Sequence, residues 1–165
     1  MTVGILSDSH GDAATTGRAV ALLEARGATA LFHCGDVCAL TVLDELVGRP
    51  AWFVWGNCDQ PTAETRRYVE RVGLTWPQSP VRVTLAGRSI ALLHGHEPEF
   101  DAVVSGGECD YVFCGHTHVR ADVRVGRTRV VNPGALHRAR KKSVALLDLS
   151  RDALEFLNLS GERLS

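Results

Sequence analysis

Seven side chains of the kinds that hold metal ions fall into five short clusters. Asp8 and His10 stand two apart, Asp36 ends His33-Cys34-Gly35-Asp36, and Asn57 lies in Gly56-Asn57-Cys58-Asp59. His94 opens His94-Gly95-His96, and His116 and His118 share Gly115-His116-Thr117-His118. Imidazole mixed with carboxylate suits Mn, Fe, Zn, Co or Ni. One catalytic ion usually takes three protein ligands and a water. Seven candidates therefore point to two ions, roughly 3.5–4 Å apart across a shared carboxylate. Two divalent cations against two aspartates and a bridging hydroxide leave a net positive charge, which suits an anionic phosphate ester. Ions so placed acidify water enough to give hydroxide near neutral pH.

For residues so far apart to meet, the chain must bring five loops to one edge. Apolar runs at residues 2–6, 28–32 and 51–55 read as buried strands. Residues 13–26, 39–47 and 63–72 read as helices, with stops at Gly27 and at Gly48 and Pro50. The second half changes to hairpins: 81–85 with 89–93, 119–125 with 127–131, and 144–149 with 154–159. A helix over 99–104 and a strand over 111–114 stand among them. Each cluster starts within a few residues of the C-terminal end of an apolar run. Open α/β sheets form their sites outside those ends. The expected fold is α/β: two packed mixed β-sheets flanked by helices, in one domain over residues 1–165.

Composition excludes several classes. The chain has 165 residues, 45% hydrophobic and 22% charged, with a formal net charge of −1. That is ordinary for a globular domain and argues against disorder. No basic segment leads into an apolar run at the start, and no apolar stretch approaches ~18 residues, so neither a signal peptide nor a membrane span is expected. Five cysteines without a C-x-x-C pair argue against a disulfide framework and for reduced thiols in the cytoplasm. The expected partner is a small phosphoester, nucleotide-like substrates included, with no membrane and no stable nucleic-acid complex. A homo-oligomer stays open. Phosphate-loop, dinucleotide, zincin and nucleophile-elbow motifs are missing.

The ordered run Asp8-x-His10, Gly35-Asp36, Gly56-Asn57, His94-Gly95-His96 and Gly115-His116-x-His118 resembles the calcineurin-like metallophosphoesterase superfamily. Asn132-Pro133-Gly134 resembles the family's late loop near the site, and the small size is similar to its single-domain phosphodiesterase branch. The resemblance implies a four-layer α/β/β/α sandwich. It also implies two divalent metal ions, Mn2+ first, with Fe, Zn, Ni, Co or Mg as alternatives. Asp8, His10, Asp36 and His118 would hold one ion, and Asn57, His94 and His116 the other, with Asp36 shared. Asp36, Asn57 and His96 would stand at the reacting centre, where a bridging hydroxide attacks phosphorus in line. Many members have Gly-Asn-His where this chain has Gly56-Asn57-Cys58. A thiol is a poor substitute for imidazolium as acid or charge stabiliser. A diester needs less proton help, so phosphodiesterase is favoured, with His96 partly replacing the missing imidazole. The alternatives are a phosphomonoesterase with the same centre and a non-catalytic scaffold, as a retromer subunit of this fold exemplifies.

Ordinary readings compete at several positions. Asp8, Asp36 and Asn57 taken singly suit turns or helix caps. His33 reads as structural, Asp59 as a turn residue or one that orients a neighbour, and Cys58 as a small residue shaping its loop rather than a nucleophile. Arg138, Arg140, Lys141 and Lys142 read first as a solvated loop, and second as phosphate-steering charge. Trp52 suits the core. Trp55 and Trp76 fit either packing or base stacking.

Overall fold

The computed structural model describes residues 1–165. In chain order the elements are β1 (Thr2–Leu6), α1 (Ala13–Ala25), β2 (Ala30–His33), α2 (Leu40–Asp44), β3 (Ala51–Phe53) and α3 (Ala63–Arg71). Then come β4 (Val81–Leu85), β5 (Arg88–Leu92), α4 (Phe100–Ser105), β6 (Tyr111–Phe113), β7 (Ala121–Val125) and β8 (Thr128–Asn132). The chain closes with β9 (Ser143–Asp148), β10 (Ala153–Asn158) and β11 (Arg163–Leu164). One sheet runs β11-β10-β9-β1-β2-β3 and the other β4-β5-β6-β8-β7. Both are mixed: β1, β2 and β3 are parallel, as are β5, β6 and β8, while the hairpins add antiparallel strands.

Three apolar clusters separate the layers. Val3, Ile5, Phe32, Ile90, Leu92, Phe113, Val131 and Leu147 meet between the sheets. The Phe32 and Phe113 rings cross edge to face with centroids 5.0 Å apart, a favoured aromatic geometry. On the opposite face of the first sheet, Leu6, Leu31 and Phe53 pack against Ala19, Val20 and Leu23 of α1, Val42 and Leu43 of α2 and Val69 of α3. Ala91, Leu93 and Val112 meet Val104 of α4 behind the second sheet. Alternate residues of β5 thus face alternate cores, as strand geometry requires. The result is the expected four-layer sandwich.

Local chemistry sets the element ends. Asp12 accepts the Thr15 N–H at 2.9 Å and caps α1, and Thr62 and Thr65 cap α3 reciprocally. The second helix is shorter than the expected 39–47. After Asp44 the chain tightens, with Leu46 and Val47 bonding back to Leu43 and Asp44 ahead of Gly48 and Pro50. Strand β7 starts at Ala121 rather than 119, since Val119 is 65% exposed and has no ladder partner. Strand β11, two residues paired to Phe156 and Leu157, was not expected. Trp52 stacks on Phe32 at 5.1 Å, and Trp55 packs against Trp76 at 5.5 Å. No helix is long and apolar enough to cross a membrane.

Candidate metal centre

Register brings the loops together. Leu6 pairs with His33 and His33 with Phe53, so β1, β2 and β3 end side by side. Leu92 pairs with Phe113 and Phe113 with Val131, which aligns the ends of β5, β6 and β8 in the other sheet. The loops are then sewn to one another: Asp8 N–H donates to Gly35 O at 3.0 Å, His10 N–H to Asp36 O at 2.9 Å, and Gly115 N–H to His94 O at 2.8 Å. His116 N–H crosses between sheets to Asp8 Oδ2 at 3.2 Å. Asp8, His10, Asp36, His116 and His118 all have positive φ, between 44° and 68°. Such backbone is uncommon for non-glycine residues and gathers where surrounding structure holds a site in place. Gly56 and Gly115 are needed for close approach. A Cβ on Gly56 would strike the Asp36 carboxylate, and one on Gly115 would strike Ser7 Oγ and come within 2.7 Å of Asp8 Oδ2.

The seven candidate side chains converge as two groups. In the first, one ligand atom each of Asp8, His10, Asp36 and His118 lies within 4.8 Å of the others. His10 Nε2 stands 3.3 Å from His118 Nε2 and 3.5 Å from Asp36 Oδ2, and His118 Nε2 stands 3.2 Å from Asp8 Oδ1. In the second, Asn57 Oδ1 lies 2.9 Å from His116 Nδ1 and 3.1 Å from His94 Nε2. His94 Nε2 is 3.5 Å from Asp36 Oδ1. The two oxygens of Asp36 therefore face different groups.

This donor set fits cations. His94 Nδ1 donates to Cys34 O at 2.7 Å, which leaves Nε2 with a lone pair aimed at the oxygens of Asn57 and Asp36. Asp8 Oδ1 is buried and accepts no hydrogen bond. Acceptors facing acceptors, beside an orphaned buried carboxylate oxygen, are costly without a positive charge among them. Burial raises the Asp8 pKa against the pull of His94 and His118. Desolvation pushes Asp36 the same way, yet its bonds to His94 and the Cys58 N–H hold it well below the usual carboxylate range. A proton on His94 Nε2 is the other way to supply that positive charge: desolvation disfavours it, but Asp36 and the Cys34 carbonyl outweigh this and raise the pKa.

His96 lies apart, exposed at the rim, its ring 5.3 Å from His94 and 6.1 Å from His116. Cys58 is exposed beside Asn57, whose Nδ2 approaches Sγ at 3.6 Å. Partial desolvation, followed by Asp36, raises its thiol pKa and keeps it neutral, against a nucleophilic role. His33 is structural, as expected. It is buried, accepts Gly35 N–H on Nδ1 at 3.3 Å, and donates from Nε2 to Ser9 Oγ at 2.8 Å. Desolvation lowers its pKa to about 3.

Two carboxylates that sequence reasoning undervalued hold the ligand loops. Asp59 is more than a turn residue: it accepts N–H groups of Gly56 at 2.7 Å, Val37 at 3.1 Å and Cys38 at 2.6 Å, tying the loop after β3 to the loop after β2. Glu97 accepts His94 N–H at 2.8 Å and Gly95 N–H at 2.6 Å. Burial opposes its charge, but these bonds lower its pKa. Their signal was an acid two or three residues after a ligand. Asn132 fixes the fifth cluster, donating from Nδ2 to Gly115 O at 2.6 Å and to Thr117 Oγ1 at 3.1 Å. Cys38, unremarked in the sequence, places Sγ 3.7 Å from His10 Nδ1.

Known proteins share this arrangement of strands and loops. A phosphodiesterase of Methanocaldococcus jannaschii is 25% identical over 138 residues, 81% of this chain and 83% of its own. A solved archaeal phosphodiesterase superposes with a TM-score of 0.85 at 22% identity, covering 96% of this chain and 99% of that one. A single mutant of Vps29 from Entamoeba histolytica superposes with a TM-score of 0.71 at 21% identity, covering 99% and 98%. At such identities the solved structures establish the fold. The family model of the calcineurin-like phosphoesterase superfamily domain matches residues 1–152, and the chain belongs to that superfamily.

Proposed function

We propose that the centre hydrolyses phosphodiesters with two divalent ions. Asp8, His10, Asp36 and His118 hold one, and Asn57, His94 and His116 hold the other. The observation that carries this reading is the division of the Asp36 oxygens, Oδ2 towards His10 and Oδ1 towards His94. The ions, when bound, supply Lewis acidity that acidifies water and offsets charge on the phosphoryl oxygens. The chain's own residues do the positioning. Cys58 N–H holds Asp36 Oδ1 at 2.9 Å, and the Cys34 carbonyl fixes the His94 tautomer. Asn57 and His116 are exposed, so substrate approaches from their side, where exposed His96 can meet the phosphoryl group. Cys58 is a neutral thiol there and a weak proton donor. A leaving group that needs little protonation is therefore favoured, and a diester over a monoester. We propose Mn2+ as the native ion, a single catalytic domain, and a cytoplasmic setting, which five unpaired cysteines support.

The test is metal content by mass spectrometry on protein purified without added metal, paired with turnover of diesters, cyclic nucleotides and monoesters. About two ions per chain and faster diester than monoester hydrolysis are expected. A large monoester preference would move the reading to a phosphatase, and failure to take up metal under any loading would overturn it. One observation favours a second reading, an assembly role: Val119, Val123 and Val125 are 65%, 52% and 37% exposed on and beside the edge strand β7. Absence of turnover on every phosphoester, with a stable dimer by light scattering, would favour it.

A further inference from the structure

A cleft of about 710 Å3 opens beside His118. Arg120, Arg138, Arg140 and Lys141 line it, with Thr117 and Phe156. The volume suits a ligand of nucleotide size. Its charge is local, because the chain as a whole carries −1. Arg138, Arg140 and Lys141 form no ion pair, whereas neighbouring Arg129 and Lys142 do, with Asp122, Asp152 and Asp12. Asp122, which also lines the cleft, is occupied by Arg129 at 2.7 and 2.8 Å. Lys142 turns away to Asp12 and Thr15, each at 3.3 Å, so it departs from the solvated-loop reading of the basic run, while Arg138, Arg140 and Lys141 stay exposed on that loop.

The cleft is fixed to the metal centre. Leu136 N–H donates to Ser7 O at 3.1 Å and His137 N–H to Asp8 O at 3.0 Å, pinning the start of the basic run to the first ligand loop. The His137 ring lies 5.8 Å from that of His10. Arg138 follows with φ of 53°, a backbone state held only by its surroundings. At the far side, the Arg120 guanidinium sits 6.0 Å over the Phe156 ring, an arginine and an aromatic face presented together.

We infer that this cleft binds a second phosphate group carried by the substrate, so that the preferred class is a phosphodiester bearing a further phosphate. Free guanidinium groups match phosphate oxygens in pairs, and a lysine adds a point charge. The inference rests on the proposed diester chemistry only for where the scissile group sits.

The experiment uses Mn-loaded protein and dithymidine with and without a 5′-phosphate. The ratio of kcat/KM for the two, wild type against Arg140→Glu/Lys141→Glu, cancels any general loss of activity. Wild type should prefer the phosphorylated dinucleotide by about tenfold or more, and the variant by less than about twofold. Calorimetric binding of the uncleavable methylphosphonate-linked pair should show the same loss of preference. Equal ratios in wild type and variant, or no preference in wild type, would overturn the inference. If neither dinucleotide is hydrolysed but the 5′-phosphate still tightens binding in wild type alone, the diester reading falls and the cleft stands.

Discussion

Asp59→Ala isolates the staple that joins two ligand loops. Its carboxylate takes three backbone N–H groups, two of them part-buried, from Val37 and Gly56, and one exposed, from Cys38. Hydrogen bonds to a charged group contribute about 1.5–3 kcal/mol each, and a buried donor left alone loses about that much. The two part-buried bonds then sum to about 3–4 kcal/mol once some water enters, and the exposed one adds little. In a domain of this length that lowers Tm by about 6–16 °C. Asp59→Asn can keep an oxygen at the Oδ2 position, which takes both part-buried bonds, but removes their charge assistance, and should lose about half as much. Urea unfolding and calorimetry on metal-free protein measure the stability loss, and a metal titration of the same variant should show weaker uptake because Asp36 and Asn57 sit on the stapled loops. An Asp59→Ala protein within about 1 kcal/mol of wild type would refute the assignment.

Three further perturbations test separate parts of the centre. Asp36→Asn keeps an acceptor for the Cys58 N–H but removes the shared charge; metal content and turnover should collapse together while the fold, followed by circular dichroism, persists. Gly115→Ala drives a methyl group into Ser7 and Asp8; overpacking of about 1–3 kcal/mol and reduced metal stoichiometry should appear in calorimetry and mass spectrometry. His33 has its pKa lowered to about 3 in the fold from 6.5. The unfolded chain takes up that proton first, so the His33 contribution to stability is lost as pH falls below 6.5. Between pH 7 and 5.5 wild type should lose about 1.2 kcal/mol that His33→Gln does not, read from urea unfolding at the two pH values.

Much of the site is legible in sequence because its residues follow strands that are themselves legible. Val3 to Leu6 and Leu31 to Phe32 are continuous apolar runs, so the positions of Asp8 and Asp36 beyond their ends follow from parallel packing. Glycines before Asp36, Asn57 and His116 mark loops where bulk is excluded. The parts that escape reading depend on pairing across long separations. Asp59 reaches Cys38 over 21 residues, and nothing local distinguishes that carboxylate from an ordinary turn residue. The basic run divides for the same reason. Lys142 meets Asp12 across 130 residues while Arg138, Arg140 and Lys141 form no ion pair, a split that the composition of the run does not show.

The hydrogen bond from His116 to Asp8 crosses between the two sheets, and each sheet supplies part of each ligand group. Uptake of the proposed ions would thereby be coupled to docking of one half of the sandwich on the other. Metal present at a hundred times its dissociation constant would add about 2.7 kcal/mol against separation. Starvation for the ion would loosen the molecule as well as silence it, and its resistance to proteases would track the supply of metal around it.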